Sequence, residues 1–250
     1  MSGFRRNLLK MGGGNVEEFV SRHMVCWYSP VRQGANVERL SADPRLVDLS
    51  GNGRNLRLNG FDWTNGSVIT SDGGLQFDGN SCYGICESDF DLGNFTLIYR
   101  RGALPFHTMT NPGKCFCCKG RAFIIENTSV ARCLSNYAFT QHGLVSDRTT
   151  HGLFSAGFYV VTPNKIIQED SATIVTMKRG SGVDSVDSKL IFGCESQSGN
   201  KLKFVLEEFM LFDRVLKRDQ LEWVLINLID TDKSRIFEYV KNMDSNSDTK

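Results

Sequence analysis

The punctuation of this chain constrains its fold more than any other feature. Between residues 54 and 212 it breaks into short runs, among them "NLRLNGFDW", "VITSDGGLQFDG", "FTLIYRR", "FCCKGRAFIIEN", "YAFT", "GFYVVT", "SATIVTMKR", "KLIFGCE" and "KFVLEEFMLF". Each holds about five to eight strand-forming residues, many alternating apolar with polar, and clusters of Gly, Asn, Asp and Ser separate them. Short strands at regular spacing with turn signals between them predict a β-sandwich or barrel. A length of 250 residues suits one such domain with a sizeable core.

The ends read differently. In "DRVLKRDQLEWVLINLI", Val215, Leu216, Leu221, Val224, Leu225, Leu228 and Ile229 fall at helical spacing, which predicts one amphipathic helix after the last strand, with Trp223 in the core. A further helical piece is expected through "KSRIFEYVKN", and residues 236–250 form a polar tail. Residues 1–15, "MSGFRRNLLKMGGGN", read as a basic, partly apolar arm followed by a glycine hinge, with Phe4, Arg5, Arg6 and Leu8 as its anchoring side chains. The sandwich with its helix then occupies residues 16–235.

Charge narrows the partners. With 29 basic against 28 acidic side chains, the net of +1 supplies no general attraction to nucleic acid or to an anionic membrane. No apolar run reaches the length of a membrane span, and "NLLKMGGG" lacks the sustained apolar core of a signal peptide, so synthesis in the cytosol is expected. The eight cysteines follow no regular framework and are expected to be thiols rather than disulfides.

Four stretches, "WYSP" with "LVDLSGNGRNLRLNGFDW", "GGLQFDGNSCYG", "FTLIYRR" and "EEFMLFDRVLKRDQLEWV", resemble concanavalin A-like lectin/glucanase domains of the LamG type. In that family a "DxSGNG" turn opens the domain, strands with "LxFDG" and "FT" follow, and a last strand leads into a short helix. The arm and "CWYSPVRQGAN" also resemble variants found in bacteriophage and prophage structural proteins. The resemblance covers about residues 27–230. It implies an all-β, two-sheet jelly-roll sandwich with a short C-terminal amphipathic helix. It also implies use in binding glycans or proteins, sometimes with calcium, and in one branch in cleaving β-glucans. Fold alone does not choose among these.

Candidate chemistry is thinly spread. Asp48, Ser50 and Asn52 place side-chain oxygens at alternate positions with Gly53 sixth, as in the first half of an EF-hand loop. The twelfth position is Asn59 instead of a bidentate Glu, and no Lys-Ser/Thr follows the glycines as a phosphate loop requires, so the favoured reading is a capped turn. A weak calcium site of lectin kind at Asp48 and Asn52 is the alternative. In "ESDFD", Glu87, Asp89 and Asp91 have the period-two spacing with which the glucanase branch aligns nucleophile, helper and acid, although Asp91 is a methylene short and the segment reads as a loop. "CFCCKG", with Cys133, lacks the paired spacing of structural zinc, and buried thiols account for Cys115, Cys117 and Cys118. His142 and His151 read as solvated loop residues, and no G-x-S-x-G accompanies any of the four histidines.

Sugar recognition combines a flat ring with amides or carboxylates. Trp63, Tyr83, Tyr137 and Phe158 are candidates, with Tyr83 beside Asn80 and Tyr137 beside Asn136 favoured. The expected protein is therefore a non-enzymatic binding or structural module, homo-oligomeric, joined to virion subunits through its arm and presenting loops to a glycan or cell-surface polysaccharide. A glycan hydrolase using Glu87, Asp89 and Asp91 is the alternative.

Overall fold

The computed structural model describes residues 14–64, 68–89, 94–102, 113–117, 123–127, 136–140, 144–146, 157–162, 165–168, 174–179, 189–194, 201 and 203–229. The arm anchors Phe4, Arg5, Arg6 and Leu8, the third carboxylate Asp91, and the "KSRIFEYVKN" helix with its tail lie outside these residues, as do His107, His142, His151, Cys118 and Cys133.

Two antiparallel sheets face each other. The first contains β1 (Met24–Tyr28), β15 (Lys203–Phe212), β6 (Thr96–Arg101), β11 (Gly157–Val161), β12 (Lys165–Gln168), β13 (Ile174–Arg179) and β10 (Leu144–Ser146) in that order, with β4 (Leu75–Asp78) also paired to β15. The second runs β2 (Arg45–Leu46), β3 (Leu56–Asn59), β5 (Tyr83–Asp89), β14 (Lys189–Phe192), β7 (Gly113–Cys117), β8 (Phe123–Asn127) and β9 (Asn136–Thr140). This is the jelly-roll sandwich that the sequence predicts.

Burial explains two kinds of strand. On β3 the residues Leu56 and Leu58 are buried while Arg57 is exposed, the alternation of a sheet with one solvated face. β6, β11 and the end of β15 are apolar without alternation because both of their faces are covered. Leu97, Tyr99, Tyr159, Val161, Phe209 and Leu211 point between the sheets, and Ile98, Phe158, Val160, Met210 and Phe212 point outward into a second apolar cluster. Phe192 of the second sheet meets Phe209 and Tyr28 of the first edge-on, at centroid distances of 4.7 and 5.8 Å. Such ring pairs add about 0.5–1.5 kcal/mol each beyond burial.

Helices roof the outer cluster. α3 (Arg218–Asn227) contributes Leu221, Val224 and Leu225, and α1 (Gly14–His23) contributes Val20. The carboxyl-terminal helix is as expected but shorter. Leu216 is buried ahead of it, Val215 is 43% exposed, and Trp223 packs only at the rim. α1 and α2 (Val37–Ala42) were not expected. α1 begins at the last glycine of the presumed hinge, with Glu17 in its first turn and Arg22 and His23 in its last, complementing the helix dipole. His23 ties its end to the end of β15, with Nδ1 2.8 Å from Asp213 Oδ1 and Asp213 N–H donating to His23 O at 3.0 Å. Among the described residues no helix is long and apolar enough to cross a membrane. Cys26, Cys82, Cys86 and Cys194 are buried thiols.

Candidate functional site

The "DLSGNGRN" turn is a structural clasp. Asp48 is buried, and its Oδ1 accepts from Trp27 N, Ser50 N and Ser50 Oγ at 3.0, 3.0 and 2.6 Å, while Oδ2 accepts from Arg54 N at 3.1 Å. Asn52 Nδ2 donates to Met24 O and Val25 O at 2.7 and 3.2 Å, Arg54 Nη1 donates to Val25 O at 2.9 Å, and Leu49 N donates to Trp27 O at 2.8 Å. The partners outside the turn, Met24, Val25 and Trp27, all lie on β1, the edge strand of the first sheet. Its outward groups are consumed by the turn, which closes an edge that would otherwise invite another strand. A cation at Asp48 would meet N–H and O–H hydrogens where calcium needs oxygens, so this donor set does not suit calcium. Among the described residues no three His, Cys, Asp or Glu side chains converge as metal ligands.

Glu87 and Asp89 lie on a strand, not in the expected loop, because β5 extends through Asp89. Glu87 is exposed and held by cations of both neighbouring strands, Arg57 Nη2 at 2.9 Å and Lys189 Nζ at 2.5 Å. The Lys189 hydrogen bond, against slight desolvation and with Arg57 helping, pulls its carboxyl below the ordinary range. That shift keeps Glu87 ionised, as the nucleophile position of the pattern would need, but both of its oxygens are taken up in the ion pairs, and the acid position, Asp91, lies outside the described residues.

A corner of the second sheet gathers the ring-and-amide pair. β3 and β5 run side by side with Asn59 opposite Tyr83, and the loops at that end are tied by Ser81 Oγ donating to Gly60 O at 2.8 Å. Gly60 is required there. Its φ is +72°, and a Cβ would stand 2.3 Å from Ser81 O. The turn after β4 is folded around Asp78, whose Oδ1 accepts from the backbone of Asn80, Ser81 and Cys82 at 2.8, 3.0 and 3.0 Å and whose Oδ2 accepts from Ser81 Oγ at 2.8 Å. Burial raises the Asp78 carboxyl, but these four bonds outweigh it and lower it to about 2. The corner presents Asn80 exposed and Tyr83 half-buried, with Lys201 Nζ 4.9 Å from the Tyr83 ring centroid. Nearby in the chain, Trp63 stacks on Phe61 at 5.0 Å and 13°, and Phe61 meets the core ring Phe77 edge-on.

Asn136 and Tyr137 are elsewhere. They lie on β9, the far edge strand, four strand spacings or about 19 Å from β5. The two favoured pairs therefore do not share a site. Phe158 is fully enclosed in the outer cluster.

Sequence reasoning missed a second polar cluster. Glu208 is buried on the outer face of β15, where Oε1 accepts from Trp27 Nε1, Oε2 accepts from Ser29 Oγ at 3.0 Å, and Arg32 Nε stands 3.7 Å away with its guanidinium over the Trp27 ring. Glu207 sits at a β-bulge next to it, 3.2 Å from Arg100 Nε. Desolvation raises both carboxyls above their usual range. The signal was present: two glutamates inside an otherwise apolar strand. All the partners of Glu208 are neighbours on the same sheet or its following turn, so the cluster pins β1 to β15.

No family model matches the chain, and no curated protein does. Solved structures do. The botulinum neurotoxin serotype D binding domain matches at 10% identity over 84% of this chain and 53% of that one, with a TM-score of 0.50. The serotype D ligand binding domain in complex with N-acetylneuraminic acid matches at 10% identity over 86% and 53%, again with a TM-score of 0.50. At this identity the likeness is one of fold, a two-sheet sandwich, and the chain spans about half the length of the structures it matches.

Proposed function

We propose that this chain is a non-catalytic binding module of the concanavalin A-like, LamG type, which meets a glycan at the corner formed by Tyr83 and Asn80. One observation carries the reading. The Ser81–Gly60 tie and the Asp78 turn fix an accessible amide and a half-open ring on the rim of a rigid sheet, the combination that grips sugar hydroxyls and the apolar face of a pyranose. The matched serotype D domain, a sandwich of similar fold, is one whose structure holds N-acetylneuraminic acid, which agrees with this assignment. The ion-paired state of Glu87 favours binding over hydrolysis. The amino-terminal arm, with Phe4, Arg5, Arg6 and Leu8, is the proposed attachment to a larger assembly such as a phage particle, where oligomerisation would multiply weak sugar contacts.

The test is a glycan array run with calcium and with chelator, with the same sugars assayed for released reducing ends. Binding without cleavage, weakened in Tyr83→Ala, is the expected result. Cleavage lost in Glu87→Gln would replace the reading with a hydrolase, and loss of binding in chelator would return Asp48 and Asn52 to consideration as metal ligands.

A further inference from the structure

The clasp on β1 includes an asparagine followed by glycine, and that dipeptide has a chemistry of its own. An asparagine side-chain amide can be attacked by the backbone nitrogen of the next residue, and glycine leaves that nitrogen unshielded because it carries no side chain. The chain holds three such pairs, Asn52–Gly53, Asn59–Gly60 and Asn65–Gly66, of which the last lies outside the described residues.

The two described pairs differ in their surroundings. Asn52 and Gly53 are both exposed, Gly53 stands at φ +75°, and a Cβ built on it would meet nothing within 4 Å, so base and water reach the reacting atoms. Asn59 is half-buried at the end of β3, and Gly60 is pinned. Ser81 Oγ donates to its carbonyl at 2.8 Å, and Ser81 O stands 2.3 Å from where its Cβ would be. Ring closure must bring the glycine nitrogen onto the asparagine Cγ, a movement that the open turn allows and the tied loop resists. What restrains Asn52 is its own task, since Nδ2 donates to Met24 O and Val25 O at 2.7 and 3.2 Å.

We propose that Asn52–Gly53 is a self-acting deamidation site, whose reaction makes a passing release of the β1 edge permanent. When the turn lifts from β1, Gly53 N gives its proton to water or hydroxide and forms a bond to Asn52 Cγ. The Cγ–Nδ2 bond breaks, and the nitrogen leaves as ammonia with a proton from water. Water then opens the five-membered imide at either carbonyl, leaving an aspartyl or an isoaspartyl linkage. The net change converts one amide and one water into one carboxylic acid and one ammonia. The new carboxylate has no hydrogen to donate to Met24 O or Val25 O, and it adds negative charge to the turn that already holds Asp48. Two outward carbonyls of an edge strand are uncovered, where a strand of a second copy can add.

The test incubates the full chain at mildly alkaline pH and follows each Asn-Gly pair by peptide mass spectrometry, with isoaspartate-specific methylation as a second readout. The urea-unfolded chain is the reference in which both pairs are open to attack. In the folded protein Asn52 should convert faster than Asn59. Asp48→Asn, which loosens the same turn, should speed conversion at Asn52 and leave Asn59 at its wild-type rate. Asn52→Asp, standing for the product, should lower the urea midpoint and raise the unfolded population at a given urea concentration by roughly 5–30-fold. Asn59 converting as fast as Asn52 in the folded protein, a rate at Asn52 indifferent to Asp48→Asn, or a wild-type midpoint in Asn52→Asp overturns the proposal.

Discussion

The clasp at Asp48 makes a quantitative prediction. In Asp48→Ala, Trp27 N–H on the buried edge strand loses its acceptor at 3.0 Å, and Arg54 N–H and Ser50 N–H lose theirs at 3.1 and 3.0 Å. A buried donor left without a partner costs about 1–3 kcal/mol. Trp27 N–H belongs near the upper end because its residue is 2% exposed, and the other two near the lower end because water can reach the half-buried turn. The sum is about 3–5 kcal/mol, a large fraction of the roughly 5–15 kcal/mol that holds a domain together. Asp48→Asn keeps one acceptor oxygen for the three donors at Oδ1 but places an amide NH2 against Arg54 N–H, so it should cost less, about 2 kcal/mol.

The measurement is urea unfolding followed by tryptophan fluorescence, with equal slopes required before midpoints are compared. Asp48→Ala should move the midpoint most, Asp48→Asn about half as far, and wild-type midpoints should coincide in calcium and in chelator. An Asp48→Ala loss below about 1 kcal/mol would refute the clasp, because three orphaned donors cannot be that cheap. A wild-type midpoint that rises with calcium and stops rising in Asp48→Ala would refute it differently, since a ligand stabilises only the state that binds it.

Further outcomes follow from the same geometry. Gly60→Ala should destabilise by about 2–4 kcal/mol, because the residue stands at φ +72° and its Cβ would meet Ser81 O at 2.3 Å; an unchanged melting temperature would show that the two loops are not tied. Glu207 and Glu208 have folded pKa values above the unfolded 4.5, so their contribution is fully present below pH 4.5 and lost as pH rises through the raised values; stability measured against pH should decline less steeply in Glu208→Gln, and identical slopes would refute the assignment. Asp78 has the opposite sign. Its contribution is present above pH 3.8 and lost as pH falls toward about 2, so Asp78→Asn should be less acid-sensitive than the wild type in that window. Tyr137→Ala should leave glycan binding unchanged where Tyr83→Ala weakens it roughly tenfold, since the two residues lie on strands four apart in the sheet; equal losses in an array titration would place the site elsewhere.

What the sequence revealed was what local pattern encodes. "NLRLNG" alternates because one face of β3 is wet, and "FTLIY" and "FMLF" are apolar throughout because helices cover their outer face. The helix α1 escaped notice because its first residue closes a glycine run that reads as a hinge. "ESD" reads as a loop because three polar residues in a row carry no strand signal. What makes it a strand is Arg57 on one neighbour and Lys189 on the other, 30 and 102 residues away in the chain. Tyr83 and Asn80 were legible as a pair because they are near in sequence. Lys201 is not, because it stands 118 residues from Tyr83 in the chain, and Asn136 with Tyr137 look equivalent until strand order separates them.

These displacements have a common physical origin. A β-sandwich must satisfy its edges and its buried polar groups before any side chain is left for a ligand, and the motifs with the most chemical appearance are the ones it spends on that task. Asp48, Ser50 and Asn52 close the edge of β1, and Glu208 fastens β1 to β15 through Trp27 and Ser29. Glu87 bridges three strands of the second sheet. Asp78 is consumed in shaping its turn, but the shape it makes is what sets Asn80 and Tyr83 on the rim beside Lys201. The proposed binding at this corner therefore depends on a carboxylate that need never touch the ligand. Asp78→Asn should accordingly weaken glycan binding through a loosened turn, while Asn80→Ala weakens it with the turn and the melting temperature intact.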